Sequence, residues 1–201
     1  MAVGTDPGLL PHVDQLSSLM VRVRAGEDDA LADLVSLSYD HVFPVCRRVI
    51  GNDADAAEAS REALLEAVRS IREPEAEVGY VTSLYKAAVK AASSHTRRRS
   101  RRRAPGSNDV SLIASESDLD SMVESIDLDL ALMEVPLELR VAVVLRDLCG
   151  LGYPSVADIV DAPLDTAVAR VANGRERLVE ILGARLAGDA TSPADSHRRP
   201  E

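Results

Sequence analysis

The sequence predicts an all-α protein, and three observations carry that prediction. Aromatic residues are 2% of the chain, one Phe and four Tyr with no Trp. Strands of a sandwich or barrel need more, because they fill a pleated face with aromatic and β-branched side chains. Apolar residues still make up 46%, drawn mainly from Ala, Leu and Val, the mixture that fills helix–helix interfaces. They recur at three- and four-residue steps, the period of an amphipathic helix. With 201 residues, 28% of them charged, the chain can bury a core in one mid-sized domain or two small ones.

Met1 to about His12 carries Gly, Pro and Asp and reads as a loose lead-in. From Val13, the stripe Leu16, Leu19, Met20 and Val23 predicts a first helix, and Gly26 stops it. The second helix starts behind Glu27, Asp28 and Asp29, acids that suit a helix N-terminus. Its stripe runs from Leu31 to Ile50 and passes Pro44, where the missing N–H predicts a bend. Gly51-Asn52-Asp53 is a turn and cap ahead of a third helix, Ala54 to Ile71. Arg72 to Gly79 contains Pro74 and three acids and reads as a loop. A fourth, Ala-rich helix from about Tyr80 to Ser94 runs into an Arg cluster, closing a four-helix unit over residues 13–103.

Ala104-Pro105-Gly106-Ser107-Asn108 marks a boundary. Residues 104–134 form an acidic linker in which acids alternate with isolated Leu, Ile, Val and Met. It is either a flexible connector or a segment ordered by a partner. A second helical unit covers 135–186, with Leu137 to Leu148, Pro154 to Val160, and Pro163 to about Leu186. The Pro/Ser/Asp-rich residues 187–201 read as a disordered tail. In this second unit a short helix, the corner Asp161-Ala162 and a longer helix opened by Pro163 have the helix-turn-helix layout, whose second helix can enter a DNA major groove.

The net charge of -10 argues against free association with nucleic acid or anionic membrane unless the cations are gathered in one place. They are partly gathered: six of the seven residues Arg97 to Arg103 are Arg, and no Lys or Arg lies between Ala104 and Glu138. Cys46 and Cys149 stand far apart without metal-ligand spacing and read as small buried thiols of a reducing cytosol. No signal-like segment opens the chain, and the longest solid apolar run, Val141 to Leu145, is far too short for a membrane span, so a cytoplasmic protein is expected. The inventory for catalysis is poor. His12, His41, His95 and His197 are scattered, and no phosphate loop, His-Glu-x-x-His or Cys-x-x-Cys appears. Glu58 and Glu62 share a helix face, as two catalytic carboxylates can, but a solvated face explains them equally well. The reading is a non-enzyme with no catalytic residue, cofactor or metal site.

The order of parts resembles a bacterial extracytoplasmic-function sigma factor, the small two-domain class of RNA polymerase specificity subunits. The resemblance runs from about Leu19 to Leu182 and rests on Ala25-Gly26-Glu27-Asp28-Asp29-Ala30-Leu31, Gly51-Asn52-Asp53-Ala54-Asp55-Ala56 and Arg61-Glu62-Ala63-Leu64-Leu65. In the second half it rests on Val135-Pro136-Leu137-Glu138-Leu139-Arg140, Val144-Leu145-Arg146-Asp147-Leu148, Gly150-Leu151-Gly152-Tyr153 and Val156-Ala157-Asp158-Ile159. It implies an N-terminal bundle like sigma region 2, a linker, and a helix-turn-helix domain like sigma region 4. By resemblance, Asp55, Glu58, Arg61 and Glu62 would bind core RNA polymerase. Tyr80, Tyr85, Lys86, Lys90, Arg97, Arg98, Arg99 and Arg101 would meet the proximal promoter element, and Thr166, Arg170 and Arg175 the distal one. The partners implied are core RNA polymerase, promoter DNA mainly as holoenzyme, and an inhibiting anti-sigma factor.

This chain also departs from the family's pattern. Arg61 replaces the usual Gln, Val68 and Tyr80 stand where Trp is usual, and Ala87 and Ala91 replace polar residues. The loop Arg72 to Gly79 lacks the usual aromatic and basic residues, and the reading helix carries Val168, Ala172 and Asn173 in place of cations. Opening a duplex needs π-faces or pockets for unstacked bases, each worth about 1–3 kcal/mol, and only Tyr80 and Tyr85 remain to supply them. A sigma-like regulator that binds polymerase or an anti-sigma factor without opening promoters is therefore the alternative. Taken alone, the Arg run also fits a solvated helix end, Tyr80 and Tyr85 fit core or boundary positions, and Arg170 is placed to pair with Asp165.

Overall fold

The computed structural model describes residues 11–27, 29–71, 79–102 and 128–189. The lead-in, most of the 72–79 loop, the first part of the linker and the end of the tail lie outside them. Among the described residues there are eight helices and no strand. Helix α1 is Pro11–Arg24, α2 Ala30–Ile50, α3 Asp53–Ser70 and α4 Tyr80–Arg102. A helical stretch at 128–134 is α5, α6 is Leu137–Val143, α7 Tyr153–Ile159 and α8 Leu164–Asp189.

The first four helices form where their stripes predict. Helix α2 runs uninterrupted through Pro44 and ends at Gly51, whose φ of 84 belongs to the left-handed region that favours glycine. Asn52 then caps α3, its side-chain oxygen accepting from the Asp55 N–H at 2.9 Å. Ala56, Ala59, Ala63 and Ala67 line the buried side of α3 and face α4, whose Leu84, Ala87, Ala88, Ala91 and Ala92 are buried in turn. Small side chains on both helices let the axes approach closely, so the bundle needs few aromatic fillers. Helix α4 continues past Ser94 through the Arg run to Arg102.

The linker expectation needs correction at its end. Residues 128–134 are helical, with Ala131, Leu132 and Val135 buried. Asp129 is buried and takes ion pairs from Arg47 and Arg48 of α2, while Met133 packs over Gly51, where a Cβ would come within 2.3 Å of its sulfur. A buried carboxylate needs partners, and α2 supplies two guanidinium groups.

The second unit then folds back on the first. Helix α6 passes into a π-helical turn, Val144–Leu148, in which the Cys149 N–H reaches the Val144 carbonyl at 3.2 Å. Helices α7 and α8 make the predicted helix-turn-helix, with Asp161 at φ 50 in the corner and the Pro163 carbonyl accepting the Ala167 N–H. Gly174 lets α8 lie against α6, since a Cβ there would stand 2.5 Å from Val143. The two units share one continuous core, running from Leu16 and Leu34 through Leu84 and Val135 to Leu145, Ile159 and Ile181.

One side chain ties this junction. Arg140 is buried, and its guanidinium donates to the Val49 carbonyl at 2.6 Å, the Met133 carbonyl at 2.8 Å and the Val135 carbonyl at 3.0 Å. It thereby joins the end of α2 to the α5–α6 connection. Burial lowers its pKa to about 10.

Candidate functional site

The residues assigned to core polymerase lie along the N-terminal half of α3. Glu58, Arg61 and Glu62 are exposed and Asp55 is half-buried. Asp55 accepts from the Asn52 side chain at 2.9 Å and stands 3.7 Å from Arg99 of α4. The fold also makes a pairing that the sequence did not suggest. His95, buried on α4, places Nε2 3.4 Å from Glu62 Oε1. A ring nitrogen of His95 and carboxylate oxygens of Asp55 and Glu58 all lie within 4.8 Å of one another. These are metal-ligating atom types, brought together by antiparallel helices from positions more than thirty residues apart in sequence.

The cations assigned to the proximal element do not form one patch. A helix turns about 100° per residue, so a run of Arg is spread around its axis. Arg97 lies beside Lys86 and Lys90, Arg99 turns toward Asp55, and Arg98 and Arg101 are exposed. Lys90 pairs with Glu66 at 2.9 Å. Lys86, Lys90 and Arg97 border a cleft of about 280 Å³ between α4 and the second unit. Its far wall is Leu137, Glu138, Val141, Ile159, Val160, Asp161 and Arg170. One cleft thus holds cations assigned to both promoter elements.

The two tyrosines are covered, and neither ring is available to a base in this structure. Tyr80 is 6% exposed and its hydroxyl meets Ser38 Oγ at 2.8 Å. Tyr85 is 5% exposed and sits against Cys149 in the second unit. Burial pushes both hydroxyls up, Tyr85 well above the ordinary tyrosine range. The other three aromatic rings are also at least half-covered: Tyr39 stacks on Phe43 with centroids 5.5 Å apart, and Arg146 lies over Tyr153.

On α8, Thr166 is half-buried, and Arg170 pairs with Glu138 of α6 at 3.1 Å rather than with Asp165. Arg175 makes a two-point contact with Asp147, its Nε donating at 3.0 Å. Around these positions α8 also exposes Val168, Ala169, Ala172, Asn173 and Glu176, and Arg177, which pairs with Glu180 at 2.8 Å. Periodicity places each cation on its own helix. It cannot find acids contributed by a neighbouring helix.

Among the described residues no helix is long and apolar enough to cross a membrane. No protein-family model matches the chain. Individual proteins do. The chain is 26% identical over 185 residues to the RNA polymerase sigma-H factor of Pseudomonas aeruginosa, covering 84% of this chain and 94% of that relative. It is 29% identical over 177 residues to the ECF RNA polymerase sigma-E factor of Haemophilus influenzae (80% and 92% covered), and 28% over 176 to that of Escherichia coli (80% and 90%). Two solved structures share the fold. One is the sigma factor RpoE with the anti-sigma factor NepR from Bartonella quintana, at TM-score 0.63 and 21% identity over 77% of this chain and 98% of that one. The other is CnrH with the cytosolic domain of CnrY, at TM-score 0.64 and 14% identity over 84% and 97%. The similarity to these sigma factors spans both helical units, in the same order and on the same fold.

Proposed function

We propose that the chain acts as an extracytoplasmic-function sigma factor, binding core RNA polymerase in the cytoplasm and directing promoter-specific initiation. The observation that carries this reading is the span of the similarity to named sigma factors, which runs through bundle, linker and helix-turn-helix alike. The role needs binding surfaces rather than a catalytic group. In this reading the α3 face with Asp55, Glu58, Arg61 and Glu62 meets polymerase. Lys86, Lys90 and the exposed arginines of α4 meet the proximal promoter element, and Thr166, Arg170 and Arg175 of α8 the distal one. The anti-sigma partner in the Bartonella quintana structure supports an anti-sigma factor for this chain as well.

A cleft of about 280 Å³ has the space of a small-molecule site, not of a duplex. Lys86, Lys90 and Arg97 stand across this cleft from Arg170, so cations assigned to two promoter elements are held side by side while α4 and the second unit are docked. In the proposed cycle the docked form is the one free of DNA, and engagement with polymerase separates the units. That separation also uncovers Tyr85, whose cover is Cys149. The alternative, a sigma-like regulator that never opens promoters, is favoured by one observation: none of the five aromatic rings is exposed.

Transcription in vitro with core polymerase from the same source and genomic templates tests the proposal, with permanganate footprinting of the same mixtures. Specific transcripts with a reactive bubble are expected. Core binding without a bubble would select the regulator, and absence of core binding would overturn the polymerase assignment.

A further inference from the structure

We propose that Asp55, Glu58 and His95 form a site for one divalent transition-metal ion of the zinc class, with Glu62 as the fourth ligand. The site goes beyond polymerase and promoter binding and does not depend on them. Two independent features of the α3–α4 pair lead to it. The first is geometric. Asp55, Glu58 and Glu62 follow one another along a single face of α3, and His95 enters from α4, so the donors come from two helices already fixed by their alanine interface. One nitrogen and two carboxylate oxygens already stand within 4.8 Å of one another. Tetrahedral zinc with bonds of about 2.0–2.2 Å needs donors roughly 3.4 Å apart. Closing that difference takes an inward turn of the exposed Glu58 and of Asp55, which would exchange its Asn52 contact for the ion.

The second feature is the state of the histidine. His95 is 8% exposed, yet its Nε2 points at the carboxylates with Glu62 Oε1 3.4 Å away, longer than an ordinary hydrogen bond. A buried imidazole nitrogen aimed into carboxylates is a donor arrangement that metal sites use. Three carboxylates share this face, with Arg99 3.7 Å from Asp55. A divalent ion at the centre replaces that contact, relieves carboxylate repulsion and completes the imidazole's coordination. A set of one imidazole and carboxylates favours zinc, cobalt or nickel over calcium and magnesium, which take oxygen ligands alone. The site closes between α3 and α4, so occupancy also staples these two helices.

Titration of the full metal-stripped chain with zinc chloride in a calorimeter tests this. Cobalt(II) absorption serves as a second probe, and circular dichroism checks the fold of each variant. One zinc per chain is expected, with tetrahedral cobalt bands. Glu58→Gln, an exposed change that leaves packing alone, and His95→Gln should each weaken binding by roughly tenfold or more. Glu66→Gln, one turn beyond the cluster, should leave it unchanged. Absence of one-to-one binding, or one-to-one binding that Glu58→Gln does not weaken, would overturn the site even if His95→Gln fails to fold.

Discussion

Arg140 offers a direct test of how the two units are held together. Its guanidinium makes three hydrogen bonds to main-chain carbonyls, to Val49 across the junction and to Met133 and Val135 at the α5–α6 connection. Bonds from a charged donor contribute about 1.5–3 kcal/mol each, so the three amount to roughly 5–9 kcal/mol before the cost of burial. That cost can be read from the protonation equilibrium. Desolvation brings the pKa from 12.5 down to about 10, a penalty of about 3 kcal/mol. The net contribution is then roughly 2–6 kcal/mol, and Arg140→Met, similar in reach but without donors, should lose about that much.

Urea denaturation followed by the helical circular-dichroism signal measures the loss directly. In a chain of this size, a loss of 2–6 kcal/mol lowers the melting temperature by roughly 5 °C or more. Arg140→Lys keeps the charge but not the planar fork, and should recover only part of the deficit. A change below about 0.5 kcal/mol in Arg140→Met, the range of an ordinary surface substitution, would refute the reasoning. It would mean that water replaces the three bonds at no cost and that apolar contact alone docks the units.

Three further outcomes are expected. Burial raises the Cys46 thiol from 9.0 to about 11 and the Cys149 thiol to about 12. Their contribution is therefore fully present below pH 9 and is lost as pH rises toward the folded values, because the unfolded chain releases those protons first. Stability should fall by roughly 1 kcal/mol per thiol between pH 9 and 10, and Cys46→Ala should flatten that slope. Gly51→Ala sets a Cβ at φ 84 and against Met133; a loss of about 2–3 kcal/mol is expected in the same assay, and a neutral result would mean that α5 does not pack there. On the proposed function, Arg98→Ala with Arg101→Ala should weaken promoter binding by holoenzyme and make its salt dependence shallower, by a slope of about 1 for each phosphate these arginines neutralise. An unchanged slope would return these two side chains to a solvated helix end.

Much of the fold is legible in the sequence because it is local. The glycine at position 51, the Asn52 cap, the alanine stripe from Ala56 to Ala67 and Pro163 ahead of α8 each act within one helix or turn. The alanines even explain why so few aromatics suffice. The docking of the two units is not legible, because Val135, Val141 and Ile159 look like the inner face of any amphipathic helix and nothing local names the surface that covers them. Whether Tyr80 and Tyr85 belong to the core or to DNA is open in the sequence for the same reason. A ring on α4 carries no sign of whether Ser38, Cys149 or a base will lie against it.

The charges show most clearly what sequence order conceals. Cations assigned to the two promoter elements face acids of the chain itself: Arg170 meets Glu138, Arg175 meets Asp147, Arg99 meets Asp55 and Lys90 meets Glu66. With a net charge of -10 around them, these cations offer little attraction to DNA in the docked form. Yet exposed pairs of this kind contribute at most about 1 kcal/mol each and weaken with salt. They mask the cations without locking them. The lock is elsewhere, in Arg140 and the apolar junction it crosses, so a partner that prises α6 and α7 from α4 can recruit the basic groups at small electrostatic cost. The free chain should therefore bind promoter DNA weakly through its masked cations, whereas a variant loosened at Arg140 should bind it more tightly without any cation having been added.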